Sequence, residues 1–429
     1  MTHDLSAHAA PRRYLTADLP GTGGVIKARP EDFLVDEVPL YEPQGSGEHI
    51  YMLLEKKNMA TFDLIETVAK HFGVPRSAVG YAGLKDRFAI TRQVLSVHVP
   101  GKKIEDFPML THDRVSVLWA DYHANKLRQG HLRGNRFSIR IRQVDPTLAR
   151  RAKAVLDRLA VTGVPNRFGE QRFGTAGRNH LVGRAIVLGD FDLAVRDLFD
   201  GEAPAGPLAD ARRLALAGDY TGALTLLPRG CRTEQSVLRS LARGATAEQA
   251  LRWLDRPAVS FILSALQSAA FNHALDRRLD QGLLGSLREG DLAMKHENRA
   301  LFAVDRAVLD DPGTPGRLER FEVSPSGPMW GPAMMRASGA TDADELAALA
   351  DLGLTPDHLA AFGDRHKDLL DGTRRPFRVP VTDTDVEGGV DDLGAYIRVV
   401  FDLPRGAFAT VALREIMKPA ADLDDDHDG

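Results

Sequence analysis

Apolar and polar residues alternate with a period of two along much of the chain between Val25 and Trp119. The apolar positions of this pattern are Phe33 and Val35, then Leu95, Val97 and Val99, and then Val115, Val117 and Trp119. Successive side chains of a strand point to opposite faces, so this alternation is typical of strands with one buried face. We therefore predict half-buried antiparallel strands in this part of the chain.

A helix is predicted to interrupt these strands from about Thr61 to Phe72. Its apolar residues recur three or four positions apart, which places Leu64, Ile65 and Val68 on one helical face. Thr61 is the predicted N-cap, because its hydroxyl can accept a hydrogen bond from the first turn. Gly73 is the predicted stop, because glycine readily ends a helix in the left-handed conformation.

The segment from Arg136 to Arg142 also alternates, but its polar positions carry charge. Phe137, Ile139 and Ile141 are predicted to point one way and to pack on a core. The other face carries the guanidinium groups of Arg136, Arg140 and Arg142. We expect this face to be offered to a phosphate backbone.

The pattern becomes mostly helical after about Pro165, and its clearest helix runs from about Val259 to Leu279. Glycine and proline cluster between Ser324 and Pro332, which predicts an ordered turn. Strand patterns return at Phe377–Val381 and Tyr396–Leu403, and a last helix is predicted over Ala409–Met417. Strands, then helices, then strands indicate a helical domain inserted into a mixed-sheet domain.

Composition narrows the class of protein. The chain has 429 residues, 43% of them hydrophobic and 27% charged, which is ordinary for two or three globular domains. No run approaches the ~18 apolar residues of a membrane-spanning helix, and no signal peptide is visible at the N-terminus. Cys231 is the one cysteine, so Cys-based zinc motifs are excluded and a reducing cytoplasm is expected. The histidines show no paired-ligand spacing, which argues against a catalytic metal.

Charge is distributed unevenly along the chain. The formal net charge is −4, yet the part from Lys126 to Arg184 carries 14 basic residues against 3 acidic ones. This is the charge pattern of a surface that binds a polyanion, with a solvated basic face as the alternative. The C-terminal stretch Asp422–Gly429 holds five aspartates in eight residues and is predicted to be a disordered tail.

The segment Gly80–Arg87 (GYAGLKDR) has the residue types of a reactive loop. Two glycines bracket a short apolar step, and Asp86 stands between Lys85 and Arg87 at the expected loop tip. Neighbouring positive charge favours the ionised carboxylate, the form in which aspartate acts as a nucleophile. A surface turn with an incidental charge cluster is the alternative.

Five segments of the chain carry dense, unusual combinations of residues. They are Lys27–Glu37 (KARPEDFLVDE), Gly80–Asp86 (GYAGLKD), Lys126–Phe137 (KLRQGHLRGNRF), Pro165–Gly174 (PNRFGEQRFG), and Leu403–Thr410 (LPRGAFAT) with Leu413–Glu415 (LRE). Together, and in this order, they resemble the motifs of the TruD family of tRNA pseudouridine synthases. Agreement of five motifs across most of the chain is very unlikely to arise by chance.

The resemblance implies roles for particular residues. The catalytic aspartate of the family matches Asp86, and the lysine thought to pair with it matches Lys27. The aromatic residue thought to stack on the target uracil matches Phe137, with Asn135 two residues before it on the same strand face. The expected substrate-binding set comprises Phe137, Asn135, Arg87, Glu170, Gln171 and Arg172. The block from Gly169 to Gly174 would form a loop beside the active site, or a structural hinge, and the two readings are compatible.

The implied reaction isomerises uridine to pseudouridine in tRNA, at position 13 in the bacterial family. It needs neither a redox step nor phosphate energy, so no cofactor and no metal are expected. Whether Asp86 attacks C1′, attacks the base or removes the C2′ proton stays open at this point. The alternatives are a non-catalytic RNA-binding or tRNA-folding protein on the same scaffold, and a pseudouridine synthase that acts on another RNA.

The resemblance also implies the architecture. The expected fold is α+β, with a mixed, mainly antiparallel catalytic sheet built from residues 1–165 and 372–429. A largely helical domain over residues 166–371 is inserted into it, and the active site is expected in the cleft between the two. We expect a cytoplasmic monomer that binds tRNA and no membrane.

Overall fold

The computed structural model describes residues 13–418, except residues 175, 202–205 and 229. The acidic tail predicted at the C-terminus lies outside the described residues. The chain divides into two compact units. We call residues 16–164 and 379–418 the sheet unit, and residues 13–15 and 165–378 the helical unit. Arg13, Tyr14 and Leu15 thus belong with the second unit rather than with the strands that follow them.

The sheet unit contains eight strands and three helices. The strands are β1 (Phe33–Pro39), β2 (His49–Lys57), β3 (Val79–Tyr81), β4 (Ile90–His98), β5 (Val115–His123), β6 (Leu132–Arg142), β13 (Thr382–Asp391) and β14 (Gly394–Pro404). The helices are α1 (Thr61–Phe72), α2 (Ala149–Thr162) and α14 (Ala409–Met417).

These strands form one mixed sheet. Seven of them follow in the order β13-β14-β6-β1-β4-β2-β5, and β3 pairs with β4 off this path. The pairing of β1 with β4 is parallel, whereas the other pairings in the sheet are antiparallel. The predicted α+β class with a mixed, mainly antiparallel sheet is therefore confirmed.

Strand β6 confirms one predicted face and corrects the other. Phe137, Ile139 and Ile141 are buried, as the alternation predicts. Arg142 is not offered to solvent, because it is buried and forms a two-pronged ion pair with Asp32 at 2.6 and 2.9 Å. The prediction that three guanidinium groups on this strand face a phosphate backbone is thus wrong for Arg142. Burial of a guanidinium demands a carboxylate partner, and Asp32 supplies it.

Helix α1 spans the predicted residues and ends at Gly73 in the left-handed conformation, as predicted. The N-cap, however, is Ala60 and not Thr61. The Thr61 hydroxyl instead makes a tertiary contact, since its Oγ1 accepts a hydrogen bond from the main-chain N–H of Lys85 at 2.9 Å. A tertiary contact has replaced the local capping bond expected from the sequence.

Over its described residues, the helical unit contains eleven helices and a four-stranded sheet. The helices are α3 (Asn179–Leu188), α4 (Phe191–Phe199), α5 (Pro207–Leu216), α6 (Tyr220–Leu226), α7 (Arg232–Leu241), α8 (Ala247–Arg252), α9 (Arg256–Asp280), α10 (Arg306–Asp310), α11 (Thr314–Glu319), α12 (Gly339–Ala350) and α13 (Pro356–Arg365). The strands are β8 (Leu292–Lys295), β9 (Leu301–Ala303), β10 (Val323–Met329) and β11 (Thr373–Pro376), paired in the order β11-β10-β8-β9. Two-residue strands, β7 (Val164–Pro165) and β12 (Arg378–Val379), stand where the chain leaves and re-enters the sheet unit.

Helix α9 is the central helix of the helical unit. It confirms the helix predicted over Val259–Leu279 and is long and apolar enough, by length and composition, to cross a membrane. Because 67% of its apolar window is buried inside the protein, its apolar character is that of a core helix.

The segment Ser324–Pro332 corrects the sequence-based prediction of a turn. Most of it lies in β10, whose seven residues are all buried between β11 and β8. Gly327 allows the close packing of this strand, since a Cβ there would lie 2.3 Å from a ring carbon of Phe377. The glycine and prolines of this segment therefore lie in a tightly packed core strand and not in a turn.

Candidate active site

The loop between β3 and β4, residues 82–89, carries the predicted catalytic aspartate. The first residues of this loop and the end of β3 pack against the segment that precedes β6. A Cβ on Gly80 would lie 2.3 Å from the Leu127 carbonyl oxygen, so only glycine allows this approach. The Leu127 N–H donates to Ser96 Oγ at 3.0 Å, and the Gly130 N–H donates to the Ala82 carbonyl at 2.8 Å. The start of the loop is therefore fixed to a strand and to the basic segment.

Lys27 and Asp86 meet in space although 59 residues separate them in the chain. Lys27 Nζ donates to Asp86 Oδ1 at 3.3 Å, and both side chains are partly exposed. The same ammonium lies 4.4 Å from the centre of the Phe33 ring. Lys27 has a φ of 60°, a left-handed conformation that is uncommon for a residue with a side chain and is concentrated at functional sites. The lysine that contacts Asp86 therefore stands in an unusual backbone conformation.

Lys85, the neighbour of Asp86, forms a buried polar cluster. Its Nζ lies 2.7 Å from Glu37 Oε2 and donates to Asn135 Oδ1 at 2.6 Å. Glu37 Oε1 in turn accepts from the Val94 N–H at 3.2 Å. Asn135 is therefore linked through Lys85 to the loop that carries Asp86. Glu37 was missed in the sequence analysis, although it stands at an inward position of β1, after Phe33 and Val35, where an apolar residue is expected.

Phe137 lies on the same strand face as Asn135, as the alternation predicts, and only 6% of it is exposed. Its ring makes an edge contact with Phe33, with centroids 6.5 Å apart, and packs against Phe401 at 5.6 Å. Phe33 is the ring that Lys27 covers. The three buried rings form an apolar cluster beside the Lys27–Asp86 pair.

A second lysine reaches the catalytic loop from the end of β2. Lys56 is fully buried, and its Nζ donates to the carbonyl oxygens of Met59 at 2.7 Å and Asp86 at 2.8 Å. Burial lowers the pKa of Lys56 to about 8, although the charge of Asp86 opposes this shift. The sequence analysis missed this residue too, and the signal was again a charged residue at an inward strand position, after Met52 and Leu54.

The other predicted site residues are placed differently. Arg87 is exposed at the tip of the loop. Glu170, Gln171 and Arg172 belong to the helical unit, in a short 3₁₀ turn over Glu170–Phe173, where the first two are exposed. Arg172 donates to Ser268 Oγ at 3.2 Å and stacks on Phe261, and burial lowers its pKa. The sheet unit by itself brings together Lys27, Lys85, Asp86, Asn135 and Phe137.

The basic stretch of the sequence is only partly available to a ligand. Of its 14 basic residues, the seven that are exposed are Arg128, Arg133, Arg136, Arg150, Arg151, Lys153 and Arg158. Others have internal partners, such as Arg142 with Asp32 and Arg178 with Asp197. All seven exposed residues lie in the sheet unit, which also carries Asp86.

Known proteins that match this chain carry the name tRNA pseudouridine synthase D. A family model for tRNA pseudouridine synthase D (TruD) matches residues 10–416. The tRNA pseudouridine synthase D of Geobacter sulfurreducens is 45% identical over 411 residues, covering 95% of this chain and 97% of that protein. The enzyme of the same name from an Anaeromyxobacter species is 38% identical, again over 95% and 97% of the two chains. A crystal structure described as TruD from Methanosarcina mazei superposes with a TM-score of 0.79 at 27% identity, covering 95% of this chain and 96% of that one.

These matches show the general class of enzyme and, within it, the family. The matched proteins are pseudouridine synthases, isomerases that rearrange uridine within RNA. Within that class, the chain belongs to the tRNA pseudouridine synthase D (TruD) family, since both the family model and the relatives cover nearly all of it. Its function is the isomerisation of uridine to pseudouridine in tRNA, as the resemblance of its motifs predicted.

Proposed function

We propose that this enzyme acts on the uridine at position 13 of tRNA, with Asp86 as the catalytic carboxylate and Lys27 as its ion-pair partner. The observation that carries the proposal is the Lys27–Asp86 contact of 3.3 Å on a partly exposed loop. The positional assignment rests on the resemblance of the motifs around these residues. The tRNA substrate is the one named for the relatives.

The chemistry explains why so few groups suffice. The N1–C1′ bond of uridine breaks, the base turns, and a C5–C1′ bond forms, while the proton lost from C5 is balanced by a proton gained at N1. No electrons leave the substrate, so the rearrangement itself requires no redox cofactor. A carboxylate beside the sugar and a pocket that retains the free base are the essential parts. The target base must also leave its stack, which costs a few kcal/mol that the pocket contacts return.

The remaining residues are assigned by what they can offer. Phe137 would stack on the target base, a contact worth ~1–3 kcal/mol. Asn135, held by Lys85, has amide groups suited to an edge of that base. Arg87 at the loop tip would contact phosphate, and Glu170, Gln171 and Arg172 would complete the substrate contacts from the helical unit. The inserted-domain organisation, a monomeric state and a cytoplasmic location are part of the same proposal.

The experiment compares wild-type enzyme, Asp86→Asn and Asp63→Asn on unmodified tRNA, without added metal or cofactor. Asp63 is the matched control, an exposed aspartate in the first turn of α1. Pseudouridine is mapped by carbodiimide treatment and primer extension. We expect primer extension to stop at position 13 on tRNA treated with wild-type enzyme or with Asp63→Asn. We expect no such stop on tRNA treated with Asp86→Asn.

The other outcomes are separable. Modification by Asp86→Asn at the wild-type rate would remove Asp86 from the catalytic role. A stop at a different uridine would leave the reaction intact and overturn the positional assignment.

A further inference from the structure

The loop that carries Asp86 is held through its main-chain atoms by the side chains of Lys56 and Thr61. We propose that Lys56 is a positioning residue, which fixes the main chain of the loop and through it the Asp86 carboxylate. The inference rests on the proposed role of Asp86.

The contacts of Lys56 are specific to the loop. Its ammonium donates to Asp86 O at 2.8 Å and to Met59 O at 2.7 Å, and both acceptors are main-chain carbonyls rather than carboxylates. One hydrogen bond therefore ends on the catalytic residue itself, and the other ends on the turn between β2 and α1. The side chain connects the active-site loop to the strand that lies beneath it.

Burial of this ammonium has a cost that the fold alone does not explain. Lys56 is 0% exposed, and desolvation is the main cause of its lowered pKa. Met52 and Leu54 occupy the preceding inward positions of β2, so an apolar residue would continue the strand pattern at position 56. Buried charged groups are costly and persist where they make contacts that an apolar residue cannot make. The contacts made here are those to the Asp86 and Met59 carbonyls, and the first of them reaches the loop.

Thr61 makes a second tether beside the first. Its Oγ1 accepts from Lys85 N at 2.9 Å, so two consecutive loop residues are held through their main-chain atoms. Their side chains are then free for other partners, Lys85 for Glu37 and Asn135, and Asp86 for Lys27. The β2–α1 turn thus sets where the carboxylate stands. A displacement of about 1 Å at a reacting group can cost on the order of 100-fold in rate.

The test uses Lys56→Met, an unbranched apolar side chain one atom shorter than lysine, and Lys56→Gln, which keeps a donor. Lys57→Met is the matched control, because the adjacent Lys57 side chain is 51% exposed and pairs with Glu31 on the surface. Three quantities are measured for each variant: the single-turnover rate of pseudouridine formation at saturating enzyme, the Kd for tRNA, and the Tm.

We expect Lys56→Met to slow the single-turnover step by on the order of 100-fold, with tRNA affinity within about twofold of wild type. Lys56→Gln should fall between Lys56→Met and wild type, and Lys57→Met should match wild type. This split between rate and binding is what a loop-positioning role predicts. A single-turnover rate of Lys56→Met within about twofold of wild type would overturn the inference. So would a parallel loss of rate, tRNA affinity and Tm, which would show that Lys56 supports the unit as a whole.

If Lys56→Met does not fold, Thr61 provides an independent variant pair. Thr61→Val removes the acceptor for the Lys85 N–H at nearly constant volume, and Thr61→Ser retains it. We expect the valine variant to be slow and the serine variant to recover, and a folded Thr61→Val at the wild-type rate would count against the inference. An inactive Asp86→Asn beside a fully active Lys56→Met would remove this inference alone and leave the proposed function standing.

Discussion

At the scale of single residues, the loop that carries Asp86 is contacted by polar side chains at inward strand positions. Glu37, Lys56 and Asn135 each stand where the alternation calls for an inward residue. Each of them reaches the loop that carries Asp86, directly or through Lys85. A buried polar group is unfavourable unless it is paired, so such departures from the pattern point to function. Their partners on this loop, however, are 30 to 50 residues away in the chain.

Phe137 has two roles to separate, since it is both the proposed stacking ring and a core residue. Phe137→Leu keeps most of the apolar volume and should cost less than about 1.5 kcal/mol in stability, but it removes the ring. We expect turnover to fall far more than tRNA affinity, because one stacked base is a small part of the interface. Turnover and Kd on unmodified tRNA check this.

The matched control for Phe137 is Phe401→Leu. Phe401 is fully buried and packs against Phe137, yet it has no proposed contact with the base. We expect a similar change in Tm for the two variants and a loss of turnover for Phe137→Leu alone. An equal loss of turnover in both would assign Phe137 to the core only.

At the scale of elements, sequence patterns identified amphipathic strands and helices and failed for those that are not amphipathic. Helices α1, α9 and α14 and strand β14 lie where periodicity predicts them. Strand β13 was missed, because Thr382–Asp391 is polar and mostly solvent-exposed at the sheet edge. For β10 the sequence pattern predicts a turn, because the strand is buried on both faces and carries glycine and prolines instead of an alternation of apolar and polar residues. Both strands are defined by their partners rather than by their own residues.

Gly327 in β10 gives a direct test of this packing. A Cβ there would lie 2.3 Å from Phe377 and 3.0 Å from Phe271, both of which are buried. We expect Gly327→Ala to destabilise the protein by about 1–3 kcal/mol through overpacking, measured as a lower Tm or denaturation midpoint.

Gly230→Ala is the control, because nothing lies within 4 Å of a Cβ at that exposed glycine. Its Tm should match wild type. An unchanged Tm for Gly327→Ala would mean that β10 is less tightly packed than the structure indicates.

At the scale of the whole molecule, a slightly acidic chain carries one stretch of exposed basic residues in the unit that contains Asp86. The formal net charge is −4, but seven exposed arginines and lysines come from the stretch that begins at Lys126. A local excess of basic residues attracts the phosphate backbone despite the overall negative charge.

The consequence is a strong dependence of tRNA affinity on salt. We expect log Kd to change with log salt concentration with a slope of magnitude about 3 to 6, as release of counterions from several phosphates requires. Binding titrations between low and physiological salt measure it. Arg128→Gln should reduce the slope by about one.

Arg306→Gln serves as the control for the salt experiment. Its side chain is 77% exposed but lies in the helical unit, outside the basic stretch. We expect its slope to equal that of wild type. A flat salt response of the wild-type enzyme would exclude the basic surface as the site of phosphate binding.

The sequence by itself determined the period of each amphipathic element, the face that each buries, and, through its motifs, the family and the reaction. Tertiary structure decided which residues meet. Lys27 contacts Asp86, and Arg142 pairs with Asp32 rather than with a phosphate. The Thr61 hydroxyl binds the Lys85 N–H rather than capping α1, and β10 is a strand of the core. The physical reason is that periodicity fixes the orientation of a side chain relative to its own element. The partner of that side chain depends on the register and order of strands that are distant in the chain.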